Sequence, residues 1–206
     1  MMFSDVELAA LSLRVRDALS SRRYAHTLGV VSAAKKIAHK FNTIDISEIV
    51  VAALLHDITK EYSVAEHKKL VFDDDVCLPD EVLHSFSAPS VIKRDYAEYA
   101  TSNVLRSVYC HTVGDPDMTL FDEIIFIADY VEDGRTYPSC VSVRQSLYSE
   151  LQDAKCESEC EFALHRAVIA ALSETVKMLT DGARPVHPMT QKTLDAMLLR
   201  IEIAKG

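Results

Sequence analysis

Apolar residues recur at steps of three and four residues along almost the whole chain, which is the spacing of amphipathic α-helices. A first helix is predicted after Ser4, which forms a capping-box pattern with Glu7, and a second over "SSRRYAHTLGVVSAAKKIAHKF". A third starts at Asp45, with Glu48 in the same capping arrangement. Its segment "DISEIVVAALLHDITK" is apolar on nearly every face, which is typical of a central buried helix. Further helices are predicted near residues 80–94, 98–111, 119–131, 141–153, 157–181 and 190–204.

The chain has few helix-breaking residues between these segments. It has only five glycines and six prolines, and no β-type alternation, sequence repeat, low-complexity run or linker stands out. A chain of 206 residues is long enough for one well-packed domain. We therefore predict an all-α fold with a single domain over residues 1–206.

Composition and charge narrow the classes of partner. The net charge of -9 argues against nucleic acid, because binding it needs clustered lysine and arginine. No apolar run approaches the roughly 20 residues of a membrane span, and the acidic start "MMFSDVELAA" is unlike a signal peptide, so we expect a cytoplasmic protein without a membrane partner. The five cysteines include no C-x-x-C pair, which argues against both a disulfide framework and a thiolate zinc site.

Several histidines and aspartates fall on the apolar faces of the predicted helices. Each shares its helical stripe or its immediate neighbourhood with apolar or small residues, so its side chain is expected to point inward. The residues with this pattern are His26, His56, Asp57, His84, His111 and Asp129. The remaining four histidines do not have this pattern. His39 and His67 lie among lysines, His165 is beside an arginine, and His187 is bracketed by prolines.

The six inward residues together indicate a metal site. A single inward histidine is more often a satisfied core residue than a ligand. A buried, unpaired aspartate is different, because its desolvation costs several kcal/mol unless a cation or dense hydrogen bonding compensates. A divalent metal bound by imidazoles and carboxylates satisfies all six side chains at once.

Five short blocks carry a resemblance to a known family. The order of His26, His56–Asp57 and Asp129 resembles the HD superfamily of metal-dependent phosphohydrolases. Within it, "RRYAHTLGV", "AALLHDITK", "LHS", "VYCHT" and "FDEIIFIADYVEDGR" resemble the YqeK family of bacterial symmetrical diadenosine tetraphosphate hydrolases. The match runs from about residue 20 to 137, with a weaker likeness in "GARPVHPMT". The resemblance implies an HD-type helical bundle over that core, with additional C-terminal helices.

The resemblance also implies a dinuclear centre, with two divalent or trivalent metal ions, most often iron. One ion would be held by His26, His56, Asp57 and Asp129, and Asp57 would bridge to a second ion that His84 and His111 complete. Manganese, zinc or cobalt would also suit this ligand set. The implied reaction is hydrolysis of diadenosine tetraphosphate to two ADP by a metal-activated hydroxide.

Four cationic or hydroxyl residues match family positions and suit phosphate. Arg23, Lys60, Thr112 and Arg135 are implied to bind the substrate, and Lys60 and Arg135 are implied, with Asp57, to take part in catalysis. Asp133 stands where the family usually has proline, which leaves the path of that turn and the reach of Arg135 open. No chemistry is assigned to the region after Ser139.

Two alternative functions remain at this point. The protein could be another HD phosphohydrolase, acting on a nucleoside monophosphate or a guanosine alarmone, or a metal- and nucleotide-binding sensor without turnover. The expected partners are a dinucleoside polyphosphate substrate and a nucleoside diphosphate product. Apolar stripes on the terminal helices are also compatible with a homodimer.

Overall fold

The computed structural model describes residues 3–71 and 79–205 and, for residues 203–205, the backbone alone. Within these ranges the regular structure is helical and contains no β-strand, which confirms the all-α prediction. The α-helices, numbered along the chain, are α1 (Asp5–Ala18), α2 (Ser21–Ala38), α3 (Ile46–Leu55), α4 (Val64–Leu70), α5 (Leu83–Asp95), α6 (Ser102–Cys110), α7 (Leu120–Val131), α8 (Pro138–Asp153), α9 (Glu157–Asp181) and α10 (Pro188–Lys205). Short 3-10 turns occupy Asp80–Val82 and Ala97–Tyr99.

The predicted helix starts are confirmed at α1 and only partly at α3. Ser4 and Glu7 form the reciprocal capping box at α1. Asp45 caps α3 by accepting hydrogen bonds from the backbone of the next turn, but Glu48 does not bond back to it. The carboxylate of Glu48 is buried and accepts instead from the side chains of Thr101 and Asn103. Glu48 therefore accepts hydrogen bonds from Thr101 and Asn103 in place of the bond from the Asp45 backbone that a capping box would have.

The third predicted helix is shorter than expected. α3 ends at Leu55, His56 is its C-cap, and residues 57–60 form turns. α4 was not predicted, although Ser63 and Glu66 carry the sequence signature of the capping box that starts it. The helical spacing of apolar residues therefore continues past the true end of α3.

The helices that carry the candidate residues are neighbours in space. α3 is buried along almost its whole length and packs against α1, α2, α6 and α7. α7 packs against α2, α6 and α9, while α5 packs against α6. α8 and α9 pack against α7 and against each other, and α10 packs against α9. Buried apolar side chains form a continuous cluster from Leu11 of α1 to Met197 of α10.

Among the described residues, none of the helices combines the length and the apolar character that a membrane crossing would require.

The last helix is attached to α7 through a buried carboxylate. Arg200 of α10 donates from Nη1 to Oε1 of Glu123 at 3.0 Å and also binds the carbonyl oxygens of Pro116 and Met118. Glu123 is 1% exposed, and Nδ1 of His165 lies 3.4 Å from its Oε2. A hydrogen bond from Arg200 to the Glu123 carboxyl group therefore joins the C-terminal helix to the helix that carries Asp129.

The buried carboxyl of Glu123 should make stability depend on pH. Burial raises the pKa of Glu123 to about 8 although Arg200 acts in the opposite direction. In the unfolded chain the group would titrate near its ordinary pKa of 4.5. Between these values the folded protein holds a proton that the unfolded chain has lost, so the free energy of unfolding falls as the pH rises.

We therefore expect Glu123→Gln to gain stability relative to the wild type as the pH rises from 5 to 8. The gain across this range should be about 2–4 kcal/mol. Urea unfolding at intervals across this range measures it, and Asp195→Asn, at an exposed carboxylate of α10, is the control. Parallel stability curves for Glu123→Gln and the wild type would contradict the assignment.

Candidate metal centre

The structure brings all six candidate residues together. His26 comes from α2, His84 from the first turn of α5 and Asp129 from α7. His56 and His111 are the C-cap residues of α3 and α6, and Asp57 follows His56 in the first turn after α3. His56, Asp57, His84 and His111 are buried, and His26 and Asp129 are partly buried. The inward orientation predicted from the stripes is thus confirmed, although His56, Asp57 and His111 lie at or just beyond helix ends rather than within a helix.

Asp57 lies between two pairs of histidines. Its Oδ2 is 3.7 Å from Nε2 of His26 and 3.5 Å from Nε2 of His56. Its Oδ1 is 3.3 Å from Nε2 of His84 and 3.7 Å from Nε2 of His111. Each carboxylate oxygen thus faces a different pair of imidazoles, which is the arrangement that a bridging carboxylate requires.

Asp129 stands on the His26 side of the centre. Its Oδ1 is 3.0 Å from Nε2 of His26 and 4.0 Å from Nε2 of His56. On the opposite side, the Nε2 atoms of His84 and His111 are 3.2 Å apart. The second carboxylate therefore lies beside the first histidine pair.

Backbone contacts point the histidine lone pairs toward this centre. Nδ1 of His56 lies 2.8 Å from the carbonyl oxygen of Ala53, and Nδ1 of His111 lies 2.6 Å from that of Val108. A carbonyl can only accept, so each Nδ1 carries the hydrogen and each neutral ring keeps a lone pair on Nε2. Nε2 of His56 is buried and has no hydrogen-bond partner among the described residues. Such an orphaned lone pair is what a metal ligand presents.

Three overlapping groups of these side chains could hold a metal ion, since the ligand atoms within each group lie within 4.8 Å of one another. The groups are His26, His56 and Asp57; His56, His111 and Asp129; and Asp57, His84 and His111. All the donors are imidazole nitrogens and carboxylate oxygens, which suit divalent transition metals. The predicted metal-binding character is therefore supported by geometry as well as by residue type.

The electrostatics keep the two carboxylates ionised and His84 neutral. Burial alone would raise the pKa of Asp57, but contacts with His56, His111 and His84 hold it well below its usual range. Asp129 behaves in the same way, because its contact with His26 and the charge of Arg135 outweigh burial. Burial and the neighbouring His111 put the pKa of His84 well below its ordinary value. Ionised carboxylates and neutral imidazoles are the states that bind metals.

Two predicted phosphate-binding residues are arginines that contact the carboxylates. Arg23 donates from Nη1 to Oδ2 of Asp57 at 2.8 Å, and Arg135 donates from Nη2 to Oδ1 of Asp129 at 2.6 Å. Asp133, the residue that departs from the family pattern, is exposed and does not keep Arg135 from reaching the centre. Both guanidinium groups therefore stand at the edge of the metal-ligand cluster.

The other two predicted substrate-binding residues contact the second histidine pair. Nζ of Lys60 is 3.1 Å from Nδ1 of His84, and burial lowers its pKa. Oγ1 of Thr112 is 3.0 Å from Nε2 of both His84 and His111. The backbone of His84 is itself fixed by Thr59, whose hydroxyl donates to its carbonyl oxygen at 2.9 Å. Lys60 and Thr112 therefore lie beside the pair formed by His84 and His111.

One buried carboxylate beside His26 was not predicted from the sequence. Glu132 follows α7 and is 4% exposed. Its Oε1 lies 3.1 Å from Nδ1 of His26, and its Oε2 accepts from the backbone N–H of Gly134 at 2.6 Å. A side chain at Gly29 would overlap Oε2, so the glycine makes room for this contact. Glu132 thus orients the ring of His26 through Nδ1, the nitrogen that faces away from Asp57 and Asp129. Carboxylates hold metal-binding histidines in the same way.

We expect Glu132→Ala to weaken metal affinity about 10–100-fold, because His26 would lose the partner that orients its ring. Glu132→Gln keeps an oxygen acceptor for Nδ1–H and should retain most of the affinity. Competition with a chelator measures the affinity of each variant, and Glu174→Ala, at an exposed position of α9, is the control. Equal affinities for Glu132→Ala and the wild type would show that this contact is only structural.

A cavity of about 480 Å³ opens beside the cluster. Its inner end includes Asp57, His84 and Asp129 together with the four predicted phosphate-binding residues. Its outer wall comes from the end of α9 and the segment that leads to α10. No chemistry was predicted for the region after Ser139, yet it supplies seven of the 18 residues that line the cavity.

The histidines outside the cluster have varied settings. His39 is exposed, as expected from its neighbouring lysines. His67, which also lies among lysines, is buried and its Nδ1 lies 2.7 Å from the hydroxyl oxygen of Ser87. His165 contacts Glu123, and His187 lines the outer wall of the cavity. None of these four is part of the three candidate metal groups found among the described residues.

Comparisons with known proteins match this geometry. Residues 23–134, more than half of the chain, match the HD domain family. The symmetrical bis(5'-nucleosyl)-tetraphosphatase of Halalkalibacterium halodurans is 29% identical over 190 residues, which cover 90% of this chain and 94% of that protein. The protein of the same description from Staphylococcus aureus is 30% identical over 140 residues, covering 66% of this chain and 71% of that protein.

A solved structure supports the fold in the same way. The crystal structure of a Clostridium acetobutylicum protein, described as a predicted HD superfamily hydrolase involved in NAD metabolism, superposes with a TM-score of 0.77. It is 24% identical and covers 97% of this chain and 100% of that one. The chain therefore belongs to the HD domain family, as the five sequence blocks predicted, and over most of its length it is a relative of the symmetrical bis(5'-nucleosyl)-tetraphosphatases.

Proposed function

We propose that this protein is a metal-dependent hydrolase that cleaves dinucleoside polyphosphates symmetrically, turning diadenosine tetraphosphate and water into two ADP. The observation that carries the proposal is Asp57, whose two oxygens face separate histidine pairs at the inner end of a cavity ringed by cations. The relatives described as symmetrical bis(5'-nucleosyl)-tetraphosphatases supply the substrate class.

The proposed cofactor is a pair of metal ions, with iron as the first candidate and manganese, zinc or cobalt as alternatives. His26, His56, Asp57 and Asp129 would hold one ion, and Asp57, His84 and His111 the other. When bound, such ions supply acidity that yields hydroxide from water near neutral pH, and positive charge that offsets charge on phosphoryl oxygens. The converging Nε2 lone pairs and the ionised carboxylates fit this cofactor.

The remaining side chains would position the phosphate chain. Arg23 and Arg135 present guanidinium groups that can fork onto phosphate oxygens, and Lys60 and Thr112 add an ammonium and a hydroxyl. The oxygen of water forms a bond to one of the two inner phosphorus atoms. The bond from that phosphorus to the central bridging oxygen breaks, and the oxygen leaves with the second ADP. Cations that surround the inner end of the cavity would offset the charge of this leaving group.

The organisation of the chain is part of the same proposal. We take residues 1–206 as one HD-type domain with its core at about residues 20–137, which the continuous apolar cluster from α1 to α10 supports. A homodimer and a cytoplasmic location stay predictions from the sequence. Exposed apolar side chains such as Leu13 on α1 and Leu199 on α10 are compatible with a dimer.

Incubation of iron-loaded protein with diadenosine tetraphosphate tests the proposal, with the nucleotides separated by ion-exchange chromatography. ADP should be the sole product, should disappear when the metal is stripped, and should return when metal is restored. ATP together with AMP would contradict the symmetrical cut. If no product forms, nucleoside monophosphates and guanosine alarmones are tested next, and binding of ADP or GDP without turnover would indicate a sensor.

A further inference from the structure

A chain of buried polar groups joins α4 to the backbone of His84. His67 of α4 is 4% exposed, although its neighbours in the sequence are charged. Its Nδ1 lies 2.7 Å from Oγ of Ser87, which in turn lies 2.9 Å from Oγ1 of Thr59. The Thr59 hydroxyl donates to the carbonyl oxygen of His84 at 2.9 Å. Ser87 and Thr59 are fully buried, so their hydroxyls need partners inside the protein.

The number of hydrogens fixes the direction of this chain. Its three short contacts, at 2.7, 2.9 and 2.9 Å, each need one hydrogen. The carbonyl oxygen can only accept, and the hydroxyls of Thr59 and Ser87 supply two hydrogens. Oγ of Ser87 is also 3.2 Å from this carbonyl oxygen and can share its hydrogen with it. The third hydrogen must therefore come from Nδ1 of His67, whatever the charge of the ring.

The chain ends at a candidate metal ligand. Nε2 of His84 lies 3.3 Å from Oδ1 of Asp57. His84 is in the first turn of α5 and Thr59 is in the turn that contains Asp57, so the bond from Thr59 joins the backbone segments of two candidate ligands. Without a donor N–H behind it, Oγ of Ser87 competes with the His84 carbonyl oxygen for the Thr59 hydrogen. The N–H of His67 therefore keeps the Thr59 hydroxyl directed at His84.

A second hydrogen bond between α4 and α5 provides a comparison. Oγ of Ser90 donates to the carbonyl oxygen of Leu70 at 2.9 Å. This bond joins the same two helices, but Ser90 has no hydrogen bond to the chain that leads to His84 among the described residues. Ser90 therefore distinguishes the packing of α4 on α5 from the contact with the candidate ligand.

We propose that His67 is a positioning residue for His84. Acting through Ser87 and Thr59, it keeps the His84 carbonyl bonded to the turn that carries Asp57, so that the His84 ring faces Oδ1 of that aspartate. The inference rests on the proposed function in taking His84 as a ligand of the second ion. It gives a role to a histidine that is outside both the candidate metal groups and the lining of the cavity.

Calorimetric titration of metal-stripped protein with Co²⁺ tests this role, and the binding step that His84→Ala loses identifies the ion beside His84. His67→Leu should weaken that step about tenfold and leave the other step unchanged, because the outer contacts of a metal-binding histidine contribute to metal affinity. His67→Asn keeps an N–H close to the position of Nδ1 and should restore the affinity. Ser90→Ala is the matched control and should bind both ions as the wild type does.

Two further variants test the path from His67 to His84. Ser87→Ala interrupts the chain and should weaken the same step, which keeps the test decisive if His67→Leu fails to fold. Thr59→Val nearly keeps the shape of threonine and removes the donor to the His84 carbonyl. Adding His67→Leu to Thr59→Val should cause no further loss of affinity, because both changes act on one hydrogen bond. Additive losses would show that His67 does not act through Thr59.

The outcomes separate this inference from the proposed function. If the wild type releases only ADP from diadenosine tetraphosphate but His67→Leu and Ser87→Ala bind both ions normally, the positioning role is wrong and the function stands. If the wild type binds two ions but releases no ADP, and both variants weaken the step assigned to His84, the function is wrong and the positioning role stands. Equal weakening of both binding steps would also overturn the positioning role, because it would indicate a general loss of packing.

Discussion

Asp57→Asn should lose metal binding and turnover together. Asparagine has nearly the same shape, but it offers one neutral oxygen where the aspartate offers two charged ones, each facing a different histidine pair. Removing a shared ligand should cost about 4 kcal/mol or more of transition-state stabilisation, which corresponds to about a 1000-fold fall in kcat. Elemental analysis of the purified variant and steady-state hydrolysis of diadenosine tetraphosphate measure the two effects.

The control for Asp57→Asn is Asp133→Asn. Asp133 lies in the turn after α7, its side chain is 91% exposed, and it is not part of the candidate metal groups. It should keep its metal and its activity. Normal activity in Asp57→Asn or Asp57→Ala would refute the assigned role of the carboxylate, whatever the metal content.

Replacing the second histidine pair should leave a partly filled centre. His84→Ala and His111→Ala each remove a ligand that faces Oδ1 of Asp57, while His26, His56 and Asp129 stay in place on the other side. We therefore expect about one bound metal ion instead of two, and a fall in kcat of about 10²–10³-fold, equivalent to about 3–4 kcal/mol. The readouts are the metal-to-protein ratio and the kcat with saturating substrate.

His39→Ala is the matched control for these variants, because His39 is an exposed histidine at the end of α2. It should bind two ions and keep the wild-type rate. Two ions retained in both His84→Ala and His111→Ala would mean that the second ion has other ligands.

The cluster of candidate metal ligands could be predicted from the sequence because its members interrupt apolar stripes. An imidazole or carboxylate on an otherwise apolar helix face must point into the protein, so His26 and Asp129 could be placed before the structure was known. The pair His56 and Asp57 was placed inward for the same reason but in the wrong element. Successive side chains in an α-helix diverge by about 100°, so two adjacent residues cannot both point to one centre. The chain leaves the helix at Leu55, and the turn that follows lets both side chains face the cluster.

The parts that the sequence did not predict depend on tertiary contacts. Glu132 lies in "VEDGR", which has the composition of an exposed turn. Its burial depends on Gly29 of α2, a helix that is far away in the sequence but leaves room for the Glu132 carboxylate. Glu48 fits a local capping box, but donors near the start of α6 compete for its carboxylate. The outer wall of the cavity forms only when the end of α9 packs across from α5 and α6.

The measurement that tests the central claim most directly is a stepwise titration of metal-stripped protein with iron under anaerobic conditions, with the turnover of diadenosine tetraphosphate followed at each addition. If Asp57 joins two ions that act together, little ADP should form below one equivalent, and the rate should reach its plateau at two ions per chain. A plateau at one equivalent, or turnover that is independent of added metal, would contradict the two-ion centre.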